Sequence, residues 1–595
     1  MKYQKALIEL LIYGDLVSIE VTTNKVLYEP GEDIAISVMV RGLVSTESIE
    51  LVITKDSREI TKRSLQVIPP ESEIIDYVKV SDEGTYEIIA KCCNNEARVP
   101  IMIVKKPERP IKFVLVFHNH QPIHRYPNGH YHSPWAFHHT WFPEFQPIYN
   151  SGPYLLHARL VNKYKVSVTY NLSPSLLWQW DDIIKNGAFL DIGDFLEYVG
   201  PWDSRVMLIN EALSTYSRLA KENVIEVLTS FIAHPIAGYL IERFSLDELL
   251  RWELKVGKGV TKDVLGVDAV GMWLPELYFS EKLRDIICGE GIKYIVLDGV
   301  YHLGENIKDR SSLYKVYRHD CLTVFFRDTA LSALLSFQLN KASSIQEADV
   351  NARRLIIEIM LRRQYVGDGV VTMALDGENW MILPTPNPYA ALLLEKIFLY
   401  LSRSRDDEYI DPARPSDLIR YAQEEIKEIP TTSWLGSPNK WLSERADIQT
   451  RLWSMAQIAI NKWRIYEEVF GEDPELRMGL SMTLDSDYYW AEFVNINHVG
   501  EWAYYVVKRV NDAFDSIIIR IKRINEHAEI TISNRWIKDA NLLLGVEAPE
   551  TYMEYSIKVP SNSSESLMIN GFTNVTISLL APKSRTPVTR AIRIT

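Results

Sequence analysis

Hydrophobic patterning divides the chain into four parts. Residues 1–107 carry short runs rich in Val, Ile and Tyr, such as LVSIEVTT, DIAISVMVRG and YEIIAKCC, separated by the turn-forming YEPGED and SDEGT. Short strands at this spacing predict an N-terminal immunoglobulin-like β-sandwich. The polar KKPERP that follows carries two prolines and reads as a linker. From 111 to 380, short apolar runs alternate with stretches of helical period: IKFVLVF, KVSVTYN, VIEVLTS, AVGMWL, IKYIVLD, LTVFFRD and VVTMALD. Strands alternating with helices predict an α/β fold whose parallel sheet is covered on both faces. About seven such units predict a closed or nearly closed barrel. An open doubly wound sheet is the alternative, although no GxGxxG turn follows the first run. Residues 381–510 have long helical periodicity and no strand text, which predicts a helical domain. From 515 to 595 the β pattern returns (SIIIRIKRI, AEITISN, NVTISLLA), predicting a C-terminal β-domain.

No apolar run reaches the ~18 residues that would suggest a membrane span. The opening MKYQKALIELLIYGDLVSIEV is interrupted by Glu9, and no small-residue cleavage site follows. It reads as mature protein, and a cytoplasmic location is expected. With 65 Lys+Arg against 78 Asp+Glu, the net charge of −13 disfavours a general nucleic-acid binder. Of the 4 cysteines, Cys92 and Cys93 are adjacent while Cys288 and Cys321 stand alone, so reduced thiols are expected rather than a disulfide scaffold. The 11 glutamines are few, a hint of a hot habitat. Fifteen Trp and 31 Tyr are core material by default, but also suit stacking against sugar faces.

Each candidate barrel strand carries something polar, usually at its end. The first ends in HNHQP (His118 to Pro122), the second at Asn171, and Glu226 sits within the third; the fourth runs into Glu276. The fifth ends at Asp298, the sixth at Arg327 and Asp328, and the seventh at Asp376 with Glu378. In a (β/α) barrel these ends converge on one mouth, where catalysis takes place. Two carboxylates, Glu276 and Asp376, facing one cleft are what glycosidic cleavage needs. The bland alternatives are a helix first-turn acid after Pro275 and a turn former before Gly377. His118 and His120 alternate on a strand and so share a face. With Asp298 or Asp376 they could hold zinc. Without a third ligand at a recognisable spacing, hydrogen bonding to substrate hydroxyls or to a carboxylate is the favoured role.

These residues carry a resemblance to glycoside hydrolase family 57. HNHQP resembles its first conserved region, and NVIEVLTSFIAHPI the second, with Glu226 and His234 in matching places and Asn223 where glycine is usual. GMWLPELYFS resembles the third, VVTMALDGENW the fourth, and LDSDYYWAEF, which contains Asp487, the fifth; FRDTALSALLSF is similar to another recurrent segment. The resemblance covers about 110–500. It implies an incomplete TIM-like (β/α)7 barrel with a helical domain completing the active site, and a retaining mechanism without metal or other cofactor. Glu276 maps onto the family's nucleophile and Asp376 onto its general acid/base. His118, His120, Glu226, His234, Asp298, Arg327, Asp328, Glu378 and Asp487 would bind substrate, with Trp273, Trp380 and Trp434 as stacking platforms. The closest likeness is to amylopullulanase and α-amylase members. The expected partner is therefore an α-glucan poly- or oligosaccharide, with neither nucleic acid nor membrane. A 4-α-glucanotransferase or branching enzyme would use the same pair. A zinc-dependent glycosidase and a non-catalytic glucan-binding protein are the more distant readings.

Overall fold

The computed structural model describes residues 17–193, 195–524, 527–570 and 575–594. Most of the opening segment read above as mature protein lies outside them. The fold is mixed α/β with several sheets. Strands Ser18–Thr23, Asp33–Arg41 and Glu71–Lys79 form a three-stranded sheet facing a five-stranded one that includes Glu47–Lys55, Gly84–Cys92 and Asn95–Ile103. Strict alternation explains this: Ile34, Ile36, Val38 and Val40 point inward to a core shared by both sheets, while their neighbours face out. Arg353, fully buried on the helix Ile345–Leu361, ties this unit down. It pairs with Asp349 and donates to Thr22 Oγ1, Thr23 Oγ1 and the carbonyls of Thr23 and Lys25.

Seven parallel strands follow, here called β1 (Ile111–Asn119), β2 (Thr169–Leu172), β3 (Glu226–Thr229), β4 (Gly271–Met272), β5 (Tyr294–Asp298), β6 (Leu322–Arg327) and β7 (Val370–Asp376). Their order in the sheet is β7-β1-β2-β3-β4-β5-β6. The two edges approach each other, with Asp328 N–H donating to the Thr372 carbonyl at 2.7 Å and Arg327 Nη1 to the Ala374 carbonyl at 2.8 Å. Both faces of the sheet are apolar because both are covered. Phe113, Leu115 and Phe117 of β1 pack against the surrounding helices, whereas Val114 and Val116 join Val296, Phe325, Val370 and Ala374 on the inside. That parity places His118, Asp298, Arg327 and Asp376 on the inner face and Asp328 on the outer one.

The segment expected to be purely helical contains strands. Ile410–Pro412 pairs with the start of β1, and Glu424–Glu425 with Tyr317–His319, an antiparallel neighbour of β6. At two or three residues these are too short for any periodicity to reveal. The long helices Pro388–Asp406, Ala446–Phe470, Pro474–Thr483 and Ile496–Asp515 pack beside the sheet, and seven further strands from Ile517 onward form a three- and a four-stranded sheet. Among the described residues no helix is long and apolar enough to cross a membrane.

The expected reduced thiols need correction for one pair: Cys288 and Cys321 form a disulfide, with Cα atoms 6.2 Å apart. The helix Arg284–Gly289 ends beside the turn between Tyr317–His319 and β6, an approach also marked by the Arg284–Asp320 ion pair at 2.7 Å. The two cysteines are 33 positions apart in the chain, a spacing with no local signature.

Candidate active site

The C-terminal ends of the strands gather the polar residues. Register sets Asp376 beside His118, His118 beside Asn171, and Asp298 beside Arg327. Gly377 follows Asp376 for a steric reason: a Cβ there would lie 1.7 Å from Asn119 Oδ1. Glu276 sits on a 3-10 turn directly after β4 at φ 56°, ψ 16°, with Leu277 also at positive φ. Non-glycine residues held there cost of order 1 kcal/mol or more, and such strain collects at functional sites. Both Glu276 and Asp376 are half-buried, so each keeps partial access to solvent.

Their surroundings differ. Trp434 Nε1–H donates to Glu276 Oε2 at 2.9 Å, and the Trp434 backbone N–H donates to the Glu276 carbonyl at 3.2 Å. Trp434 itself is fixed by Arg327, whose guanidinium lies 4.9 Å from its ring, and by an edge contact to Trp273 at 5.8 Å. Burial, then the negative charges of Asp487 and Asp376, push the Glu276 carboxyl well above the usual range, while the Trp434 N–H opposes the shift. Burial also raises Asp376, but less: a hydrogen bond from Asn379 Nδ2 (3.1 Å) and the charges of Arg327 and His120 stabilise its ionised form. The pair therefore retains a proton at a higher pH than isolated carboxyls would.

Beside the carboxylates lies a histidine cluster. His118 Nδ1 donates to Asn171 Oδ1 at 2.7 Å; the Asn171 amide orientation is set by its Nδ2 donating to the Leu228 carbonyl at 3.1 Å. His120 lies 2.9 Å from both Ser173 Oγ and Asp487 Oδ2, and His234 Nδ1 lies 3.2 Å from the same carboxylate oxygen. Burial pushes Asp487 up, but the two histidines outweigh it and hold the carboxyl well below its ordinary range. Burial pushes His118 well down and His120 down to about 4.

His234 is the third imidazole that spacing did not reveal. One ring nitrogen from each of His118, His120 and His234 lies within 4.8 Å of the others. They fit a metal poorly. The His120 and His234 rings stack face to face at 3.7 Å, so their in-plane lone pairs point along parallel planes rather than at one ion. The outward nitrogens are already engaged by Asn171, Ser173 and Asp487. His118 Nε2 and His234 Nε2 face each other at 3.2 Å, the span of an N–H···N hydrogen bond.

Several expected cleft residues turn out to lie elsewhere. Glu226 begins β3 rather than ending it, so it sits at the opposite end of the sheet, 9% exposed, accepting from Ser416 N–H and Oγ. Asp298 is sealed, accepting from Arg327 Nε, Thr329 Oγ1 and the N–H groups of Val300 and Tyr301; it holds Arg327 rather than a sugar. Asp328 faces outward, caps the helix Thr329–Phe337 and pairs with Arg362. Glu378 is buried, with Tyr154 O–H donating to its Oε1 at 2.8 Å. Trp380 packs in the core at 4% exposure. Trp273 is fully buried and stacks on His118 at 4.7 Å, backing the histidine instead of offering a platform. Tyr154, Ser173 and Asn379 were not anticipated; Ser173 alone had a local signal, as the cap before Pro174.

Comparison with curated proteins finds no match to this chain. Among solved structures, a 4-alpha-glucanotransferase from Thermococcus litoralis superposes with a TM-score of 0.50 at 15% identity, over 80% of this chain and 85% of that one. The alpha-amylase AmyC from Thermotoga maritima gives 0.47 at 11% identity, over 68% and 93%. At such identities the first likeness speaks to fold alone. The model of glycosyl hydrolase family 57 matches residues 114–430. That match spans more than half of the 595 residues and contains Glu276 and Asp376, and on it the chain belongs to glycosyl hydrolase family 57.

Proposed function

We propose that this protein is a retaining α-glucan-active enzyme that hydrolyses α-1,4 or α-1,6 bonds of starch, glycogen or pullulan through a covalent glycosyl-enzyme. The observation that supports the reading is the pair of half-buried carboxyls, Glu276 and Asp376, near enough for the charge of Asp376 to act on Glu276 and held in unlike surroundings. Glu276 attacks C1 as Asp376 protonates the departing oxygen; Asp376 then takes a proton from water, which releases the sugar. Positive charge developing on the sugar favours ionised Glu276, leaving the shared proton on Asp376. Asp487 binds sugar hydroxyls, His118, His120 and His234 brace the site, and no cofactor takes part. We read the seven strands as an incomplete (β/α)7 barrel, flanked by the terminal β-domains and completed by the helical segment.

In this reading Trp434 is a positioning residue. Trp434→Phe keeps the ring but removes the only side-chain donor to Glu276 among the described residues. A charge-assisted hydrogen bond contributes about 1.5–3 kcal/mol, so kcat/KM should fall roughly 10–100-fold. The acid limb of the pH profile should move upward, because the N–H favours ionised Glu276. An unmoved limb would assign Trp434 to packing alone.

A 4-alpha-glucanotransferase is among the similar structures, and transfer would use the same carboxylates with a sugar acceptor in place of water. Maltotriose separates the two. Hydrolysis yields only glucose and maltose, whereas transfer yields maltotetraose and longer chains.

A further inference from the structure

Two short strands, Ala188–Asp191 and Leu196–Val199, form an antiparallel pair on the outside of the molecule, with Phe189 opposite Tyr198. The inner face is apolar as expected: Ala188, Leu190 and Val199 are buried. The outer face of such a hairpin is ordinarily polar. Here it carries Phe189 (45% exposed) and Tyr198 (54%), with ring centroids 4.8 Å apart, and Leu196 beside them. His130 lies against Phe189 at 5.4 Å. Gly187 and Gly200 flank the Tyr198 ring: a Cβ on either would lie 2.7 Å from its hydroxyl and 3.6 Å from its edge, respectively. Its O–H donates to the Asn186 carbonyl at 3.3 Å. The turn leaving Gly200 presents Trp202 at 95% exposure. A fixed aromatic pair on the outer face and an exposed indole four positions after Tyr198 leave apolar surface in water that folding alone does not require.

The hairpin is joined through the backbone to the segment that leaves β1. Tyr131 N–H donates to the Phe189 carbonyl at 2.9 Å, and Asp191 N–H to the Tyr131 carbonyl at 2.8 Å. Tyr131 belongs to the segment leaving β1 after His118 and His120, and His132 N–H closes back on the His124 carbonyl at 2.8 Å.

We propose that Phe189, Tyr198 and Trp202 form a second glucan-binding platform, which holds a stretch of neutral α-glucan chain outside the cleft. The inference rests on the α-glucan reading given above. Flat exposed rings match the apolar faces of a sugar chain, and the His130 imidazole against Phe189 can meet its hydroxyl edge. The overall charge of −13 opposes an anionic membrane, and the backbone bonds tie the hairpin to the segment that leaves β1 after His118 and His120.

The test compares the full-length protein with Trp202→Ala and with Phe189→Ala/Tyr198→Ala. Trp202 is so exposed that its loss leaves packing intact. Retardation in gels containing amylose reads the platform, and maltotriose turnover reads the cleft. Amylose affinity should fall about 5–10-fold for each variant, with maltotriose kcat/KM within about twofold of the parent. The proposal is overturned if the parent is not retarded, if the variants are retarded equally, or if both assays fall together. It is also overturned if the variants instead lose dimers in light scattering or lose binding to phosphatidylserine vesicles. A parent retarded by amylose but inert on every glucan would sink the catalytic reading and spare this one.

Discussion

Glu276→Gln should lower kcat on soluble starch by at least about 10⁴-fold, since removal of a covalent nucleophile costs on this scale. Gln keeps the shape and accepts the Trp434 N–H, so the fold survives. The same substitution should raise the melting temperature. In the folded protein Glu276 resists ionisation because of burial and the charges of Asp487 and Asp376, whereas in the unfolded chain it ionises near the ordinary glutamate value of 4.5. A carboxyl with a raised folded pKa loses stability as pH climbs from the unfolded value toward the folded one. The gap between variant and parent should therefore be near zero at pH 4 and widen to a few degrees by pH 7, as scanning calorimetry would record. Full activity in the Gln variant would remove Glu276 from the nucleophile role. Inactivity with a melting temperature that drops at neutral pH would mean that the carboxylate holds the structure together.

Much of this was legible in the chain because a strand covered on both faces has a plain signature. VVTMALD is apolar but for Thr372 until Asp376, and it forms β7 over the same residues. Position on the sheet was less legible. Glu226 and Asp298 both point inward, yet one begins its strand and the other ends it. Only the three-dimensional register tells the bottom of the sheet from the mouth. Arg327 and Asp328 are adjacent but face opposite sides, so alternation sends one over Trp434 and the other to Arg362. His234 was missed as the third imidazole because it is brought to His118 across 116 positions, and it holds a left-handed conformation at φ 54° that no pattern of residue types announces. Trp434 carried no local sign of its bond to Glu276, since the loop that bears it is placed by the Phe279–Thr432 backbone bridge and not by periodicity. Long-range pairs of this kind, the disulfide included, depend on how elements pack, which hydrophobic spacing does not encode.

Asp376→Ala should show two dissociable defects, which distinguishes an acid/base from a residue that only binds. On starch, whose leaving group is a poor alkoxide, kcat should fall about 10²–10⁴-fold, the range that positioned proton transfer supplies. On α-glucosyl fluoride the departing group needs no proton, so formation of the glycosyl-enzyme should stay close to parental and only its hydrolysis should slow. Azide, an anion that needs no general base, should then restore turnover and yield the α-glucosyl azide, the retained product of attack on a β-linked intermediate. The pH dependence gives a third readout. The pair keeps its shared proton to a higher pH than ordinary carboxyls, and activity on starch is lost as that proton leaves. This basic limb should vanish in the Ala variant, where only ionised Glu276 is required. Equal loss on starch and fluoride with no azide rescue would place Asp376 among the residues that hold sugar. A β-configured azide product would mean inversion, and with it a water molecule between the carboxyls in place of a covalent bond to Glu276.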